Sequence, residues 1–390
     1  MLTTLAISNY RSLRNLVIPL RRLNLITGAN GTGKSNLYRA LRLLADTAQG
    51  RVIPSLAREG GLTSTLWAGP EITGRAVKRG EFPVEATVRQ KPIALRLGFS
   101  SDDFGYLIDL GLPKQESPPV SQFSRDPEIK VECVWYGQVL RPSTLMAERK
   151  GSVFRVRPEE GEWRIVTDHL QSFDSMMTYA TDPRIAPEII SLRESIRAWR
   201  FYDHFRTDSD APARLAQIGT RTPIMSDDGS DVAAAIQTIY EIGDSAALRD
   251  AVEDAFSRSS VYTENREGWF SLIMNQHGLL RPLGAAQLSD GTLRYMLLIA
   301  ALLTPRPPAL MVLNEPETTL HPDLLPALAR LIAKAADRSQ LIVVTHSGPL
   351  ISALREQAGC HSITLTKEFG ETQVEGLRLL DKPTWHWPSR

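Results

Sequence analysis

Eight residues near the start of the chain, GANGTGKS at Gly28–Ser35, have the types and spacing of a phosphate-binding loop. Glycines there let consecutive backbone N–H groups curl around an anion, because no side chain blocks the approach. Lys34 would bring its ammonium to the β and γ phosphates of a nucleotide, and the Ser35 hydroxyl would ligate Mg²⁺. Gly28, Asn30, Gly31, Thr32, Gly33, Lys34 and Ser35 are the candidate nucleotide-binding residues. A second stretch, ALMVLNEPETTLHP at Ala309–Pro322, is an apolar run that ends in Asn314 and Glu315. A carboxylate so placed can polarise a water for attack on a γ-phosphate, which makes Glu315 the candidate base.

Two further stretches carry polar groups at the ends of apolar elements. In QLSDGTLRYMLLIAALL, Ser289, Asp290 and Gly291 lie just before or at the start of an apolar helix. Such a Ser with helix N–H groups beside it can hold an anion, although taken alone it reads as an ordinary N-cap. In LIVVTHS an apolar strand ends at Thr345-His346-Ser347, and His346 can donate a hydrogen bond to a γ-phosphate or position water. Ser289 precedes Asn314 by 25 residues and Glu315 precedes His346 by 31, each enough for a helix and a strand. Each polar group then lands at a strand's carboxyl end, where open α/β sheets bind ligands.

The rest of the chain must position these groups. LTTLAISNY alternates like a strand, RLNLIT is a short apolar strand, and SNLYRALRLLADTAQG has helical spacing, so the loop sits in a strand–loop–helix unit. From Gly74 to Thr167 short β-rich runs (FPVEATVRQ, IALRLGFS, YLIDLGL, IKVECVWYG, SVFRVRPEEGEWRIV) predict antiparallel hairpins, with a mobile loop at LPKQESPPVSQFSRDPE. From Pro183 to Phe256 the texture is helical: APEIISLRESIRAWRFYDHFR predicts one amphipathic helix, and DVAAAIQTIYEIGDSAALRDAVEDAF two, split at Gly243. The domain division expected is 1–73, 74–167, 168–260 and 261–390: an N-terminal lobe with the loop, a β-rich insertion, a helical subdomain and a C-terminal lobe.

Composition narrows the class. The 390 residues are 42% hydrophobic and 23% charged with a net charge of +1, ordinary for a globular chain with no global field toward nucleic acid or membrane. The two cysteines, Cys133 and Cys360, form no metal-ligand pattern and fit a reducing, cytoplasmic compartment. MLTTLAISNYRSLRN lacks the basic and apolar regions of a signal peptide, and TPRPP interrupts the most apolar stretch, Tyr295–Leu313, so no membrane span is expected. Arg193, Arg197 and Arg200 fall on one face of the predicted helix, with Arg206 nearby. Such a stripe can contact DNA phosphates but is more often a solvated face paired with acids, here Glu188 and Glu194. Trp199, Trp269, Trp385 and Trp387 read as packing or interface residues.

Taken together, GANGTGKSN, LSDGT, NEPETTLHP and VVTHS, with the opening ISNYRSLRNLVIPLRRLNLITGANG, resemble the ABC-type ATPase head of the branch shared by SMC proteins, RecF and OLD-type defence ATPases, and in particular bacterial AAA family ATPases of about this length. The fold implied is α/β: a P-loop NTPase of ABC-head type with a mixed β-sheet, an antiparallel β-arm and an inserted helical subdomain. The cofactors implied are ATP and Mg. The resemblance adds Asn36 and Arg11 to the nucleotide-binding set. It assigns Ser289, Asp290 and Gly291 to a signature that faces the γ-phosphate held by a second subunit. It assigns Thr319, Leu320 and His321 to the D-loop along that seam, and makes His346 the γ-phosphate sensor beside Glu315. The implied cycle is ATP-dependent homodimerisation and release on hydrolysis. The family's Gln-bearing, Mg²⁺-sensing loop has no match placed in this sequence.

Position 314 departs from the pattern. The family carries Asp there, which holds Mg²⁺ through water; Asn keeps one acceptor oxygen, loses the charge and adds an NH₂ that cannot face a cation. Metal affinity is expected to fall roughly 10–100-fold. With Glu315 and His346 present, slow hydrolysis is expected; the alternative is a nucleotide-binding clamp or scaffold with negligible turnover. About thirty residues follow Gly359, enough to finish a sheet and too few for a nuclease, so an effector (nuclease or toxin) is expected on a separate chain. DNA is a weaker candidate partner. Phage defence and DNA repair both fit such a switch, and no residue selects between them.

Overall fold

A computed structural model describes residues 1–69, 94–113, 121–158 and 161–390. The expected strand FPVEATVRQ lies outside the described residues, as does much of the loop that starts at Leu112. The chain divides into two compact units: Met1–Arg21, Gly28–Ala198 and Ile363–Arg390 form one, and Arg22–Thr27 with Trp199–Ser362 the other.

The first unit is built on an eight-stranded antiparallel sheet. Its members are β1 (Leu2–Tyr10), β2 (Leu13–Pro19), β4 (Leu95–Ser101), β5 (Phe104–Gly111), β6 (Glu128–Tyr136), β7 (Leu145–Lys150), β8 (Val153–Val156) and β9 (Arg164–Thr167), in the order β2-β1-β4-β5-β6-β7-β8-β9. Hairpins join β1 to β2, β4 to β5, β6 to β7 and β7 to β8, the last three where the Gly, Pro and Asp punctuation predicts them. The inward residues Leu5, Ile7, Leu97, Phe99, Tyr106 and Ile108 are fully or almost fully buried. Trp385 stacks edge-on against Trp135 and Trp387 and Trp199 is buried, so three of the four expected packing tryptophans are packed, whereas Trp269 of the second unit is half-exposed. The helix Lys34–Thr47 opens directly from the phosphate loop and buries Leu37, Leu41 and Leu44 along one stripe.

The second unit holds four parallel strands, in the order β10 (Arg200–Tyr202), β15 (Leu310–Asn314), β16 (Gln340–Val344) and β3 (Leu23–Gly28). Strands buried on both faces read as continuous apolar runs, which is why LMVLN and LIVVT stand out in the sequence. The helices Asp290–Leu302, Leu325–Ala336 and Gly348–Arg355 pack in the same core, with Met296, Leu328, Ile332 and Leu350 fully buried. A small antiparallel sheet, β11 (Gln217–Ile218), β12 (Ser260–Arg266), β13 (Trp269–Asn275) and β14 (Leu283–Gly284), completes it. The hairpin β17 (Cys360–Glu368)–β18 (Glu371–Val374) ends the regular structure save for one short turn of helix.

The helical expectation is corrected in one place. APEIISLRESIRAWRFYDHFR is a helix only over Pro187–Arg197; Arg200–Tyr202 is instead a strand, parallel to β15. Trp199, Phe201, Tyr202 and Phe205 are buried aromatics, a composition that favours a strand in a core over an amphipathic helix. The arginine stripe therefore does not exist as one face. Arg193 donates to Met177 O and Ala180 O and pairs with Glu194, Arg197 pairs with Glu194, Arg200 lies in β10, and Arg206 pairs with Asp208. The helices Val232–Ile242 and Ser245–Ala255 flank Gly243 as expected.

No helix among the described residues is long and apolar enough to cross a membrane. Cys133 and Cys360 are free thiols, the first buried.

Candidate functional site

The phosphate loop begins where β3 ends. Gly28, Gly31 and Gly33 all have positive φ (144°, 80° and 108°), a region that costs other residues strain. A Cβ at Gly33 would sit 2.2 Å from Thr372 Oγ1 and 2.9 Å from Ser12 Oγ, and one at Gly28 would sit 2.3 Å from Leu365 O. Only glycine fits this cradle. Lys34 is buried, its ammonium donating to Gly28 O at 2.6 Å and Ala29 O at 3.0 Å across the loop. No side chain caps the helix that starts at Lys34, and its N-terminus, the positive end of the helix dipole, adjoins the loop as a place for an anion. Asn30, Gly31 and Ser35 are exposed at the rim, and Thr32 is buried with its hydroxyl on Ala29 O.

Two residues absent from the sequence-based set brace this loop. Thr372 donates its hydroxyl to Thr32 O at 2.7 Å and lies 2.7 Å from Ser12 Oγ, and Asn36 Nδ2 donates to Ser12 Oγ at 2.8 Å. Asn36 thus bonds to the brace, as an element of the loop's support. Arg11 stands at φ 50° and pairs with Glu59 at 2.7 Å; Tyr10 donates to the same carboxylate. Its guanidinium is directed into that pair. Thr372 lies 340 residues from Thr32 in sequence, so no local signal could have named it.

In the second unit the carboxyl ends of the parallel strands carry the polar groups. Register places Tyr202 opposite Leu313 and Asn314 opposite Val344, so Asp203 stands beside Asn314, with Thr345 one residue beyond Val344. Asn314 Nδ2 donates to Asp203 Oδ1 at 2.7 Å. Glu315 follows at φ 47°, a left-handed conformation rare for a residue with a side chain, and its carboxylate is 42% exposed, within reach of water. His346 Nδ1 lies 3.2 Å from Glu315 Oε1, so the structure brings the candidate base and sensor together.

Glu317 organises the turn beneath them. Its side chain is 8% exposed; Oε1 accepts from the Thr345 hydroxyl and from the backbone N–H of His346 (3.4 Å) and Ser347 (3.3 Å), while Oε2 is buried without a hydrogen-bond partner among the described residues. Arg294, buried at 3% exposure, donates to Glu315 O at 3.1 Å and, at 3.4 Å, to Pro316 O, Phe205 O and Asp203 O. Burial pulls its pKa below the ordinary guanidinium value, opposed by the carboxylates of Glu317, Asp203 and Glu315. Three carboxylates gather around one guanidinium, a balance that suits a cation.

Ser289 caps the helix Asp290–Leu302, accepting from Thr292 N at 3.2 Å. Arg214 holds the loop before it through Ala285 O, Leu288 O and Asp290 Oδ1. Ser289 and Asp290 remain exposed. A Cβ at Gly291 would lie 2.8 Å from Thr319 O, so the signature and D-loop stretches touch. Thr319 has φ 66°, Leu320 is half-buried, and exposed His321 caps the turn at Asp323.

Among the described residues no group of three or more His, Cys, Asp or Glu side chains forms a metal cluster. A nucleotide-borne Mg²⁺ needs none, since it keeps several waters and takes one or two protein ligands with the phosphates. The exposed Ser35 hydroxyl at the loop's rim fits that donor set.

A family model described as "AAA domain, putative AbiEii toxin, Type IV TA system" matches residues 23–353. No curated protein matches the chain. Among solved structures, the SMC head bound to the C-winged helix domain of ScpA is similar with a TM-score of 0.53 and 14% identity, over 97% of this chain and 98% of that one. The Smc head with an extended coiled coil bound to the C-terminal domain of ScpA, from Pyrococcus furiosus, has a TM-score of 0.46 and 13% identity, over 96% and 95%. The SMC head domain from Thermotoga maritima has a TM-score of 0.42 and 14% identity, over 96% and 97%. The first of these shows the fold, a P-loop NTPase of the SMC-head kind with parallel and antiparallel sheets; the other two carry no argument.

Proposed function

We propose that this chain, which belongs to the AAA-domain family whose model it matches over residues 23–353, binds Mg·ATP, hydrolyses it slowly, and uses the cycle as a dimerising switch in the cytoplasm. The observation that carries this reading is the glycine cradle with Lys34 folded into it at the start of an uncapped helix. Gly28–Ser35 and Lys34 hold the phosphates, with Asn36 supporting the loop. Glu315 draws a proton from the attacking water, and His346, 3.2 Å away, orients the water or meets the γ-phosphate. Bound Mg²⁺ supplies charge neutralisation on the phosphates, with Ser35 as its protein hydroxyl.

Ser289, Asp290 and Gly291, with Thr319, Leu320 and His321, form the face that meets the nucleotide of a second copy in this proposal. The exposure of Ser289 and Asp290 supports it. The family description names a putative toxin of a type IV toxin–antitoxin system, which is consistent with a second chain as partner. DNA contact through Arg193, Arg197 and Arg200 loses its support, because Arg193 and Arg197 both pair with Glu194 and Arg200 lies in β10 instead of the helix. A clamp with negligible turnover is the second reading, favoured by Asn314 in place of Asp.

Binding of a fluorescent ATP analogue tests the carrying observation. Lys34→Ala should weaken binding at least tenfold with the fold intact by circular dichroism; unchanged affinity would remove the loop's assigned role.

A further inference from the structure

We propose that one face of the eight-stranded sheet is a peptide-binding groove, held shut by residues 385–390 of the same chain as a displaceable strap. Its ligand is an extended segment of a partner protein with the strap's aromatic and basic spacing. Side chains alternate along a strand, so Gly105, Leu107, Asp109 and Gly111 of β5 share one face. Register carries that face to Gly98 of β4 and to Cys133 and Trp135 of β6. The glycines leave room for a chain. A Cβ at Gly98 would lie 2.6 Å from Trp385, and one at Gly111 would lie 2.7 Å from Arg390 Nη2. Trp385 stands edge-on to Trp135 with ring centroids 5.6 Å apart, and Trp387 edge-on to Trp385 at 5.3 Å. Asp109, 1% exposed, anchors the far end: Oδ1 accepts from Arg390 Nη2 at 2.6 Å and Oδ2 from Arg96 Nε at 2.8 Å. Arg390 Nη2 also donates to Leu110 O at 3.1 Å.

The strap is held unlike the strands beneath it. Among the described residues, 382–390 make no backbone–backbone hydrogen bond and join no strand. The stretch that leads to them, residues 376–384, holds only the short helical turn Leu379–Asp381. Side chains alone fix the strap, as they fix a bound peptide, and a segment without backbone bonds opens at low free energy. The strap is also an imperfect ligand. Trp135 is 1% exposed, yet its indole N–H is buried without an acceptor among the described residues. An unmet buried donor weakens whatever covers it. A foreign segment that brings an acceptor to Trp135, with a ring to stack there and a cation for Asp109, therefore outbinds the strap. The identical segment of a second copy does not: it repeats the same contacts and loses translational freedom besides.

The test is capture of a peptide in trans by the full chain, read by fluorescence anisotropy. The probe is fluorescein-labelled KPTWHWPSR, the sequence of residues 382–390. In wild type the tethered strap competes at an effective concentration on the order of millimolar. In Trp385→Ala/Arg390→Ala the strap loses its anchors, so this variant should bind the probe at least about tenfold more tightly than wild type. Circular dichroism and melting temperature check its fold. A probe with alanine in place of both tryptophans and the arginine should bind neither chain. A folded variant that binds KPTWHWPSR no better than wild type would overturn the proposal, since the segment would then be ordinary packing. Equal binding of the alanine probe would overturn it as well. Should the double variant fail to fold, Arg390→Ala alone decides by the same criterion. A nucleotide-free wild-type dimer that Trp385→Ala dissolves would make the occupant a second copy and overturn the assignment to a partner. Neither readout requires that the chain bind nucleotide.

Discussion

At the scale of single residues, conformation and chemistry coincide. Gly28, Gly31 and Gly33 adopt backbone angles that a Cβ would strain, and Glu315, which has one, accepts φ 47° at the end of a buried strand. Strain of that kind costs on the order of 1–3 kcal/mol and persists where the surroundings hold it, here Thr318 N on Glu315 O and Arg294 on the same carbonyl. Gly33→Ala is expected to fold and to lose nucleotide binding, because the new methyl would lie 2.2 Å from Thr372 Oγ1 and push the loop off its brace. Calorimetric titration with ATP checks this; wild-type affinity would show that the loop tolerates the shift. The loop and the ends of both apolar strands were legible in the sequence because each is a local pattern. Asp203 was not: it lies 111 residues from Asn314 and meets it only through strand register. Glu317 sat within the quoted NEPETTLHP, yet its buried carboxylate is explained only by Thr345 and the N–H groups of 346 and 347.

At the scale of elements, three-residue β10 sets the limit of sequence reading. A strand that short has no period to detect, and the helix before it carries amphipathic spacing to Arg197. Its existence is what places Asp203, and Arg294 is the residue that ties its end to β15. Arg294→Met should remove the donor shared by the carbonyls of Asp203, Phe205 and Pro316, leave Glu315 O to Thr318 alone, and lower stability by about 2–4 kcal/mol, read by denaturant unfolding. A loss under about 0.5 kcal/mol would mean that the guanidinium is dispensable to the strand ends. The strands β4–β9 were easier to see, since Gly, Pro and Asp mark each turn between alternating runs.

At the scale of the whole molecule, the proposed switch is one whose state depends on nucleotide. Exposed Ser289 and Asp290 stand next to the D-loop stretch at Thr319, a pairing that one copy keeps at its surface. Ser289→Arg should block ATP-dependent dimers while leaving analogue binding to the monomer within about threefold, as measured by light scattering and fluorescence; dimers that persist would move the interface elsewhere. The central claim, that Glu315 drives hydrolysis of ATP bound at Gly28–Ser35, is tested most directly by Mg²⁺-dependent phosphate release from wild type beside Glu315→Gln, with molecular mass followed in the same samples. Slow release is expected from wild type, none above background from Glu315→Gln, and a dimer that accumulates with ATP in the variant. Release from Glu315→Gln at the wild-type rate, or none from either chain, would contradict it.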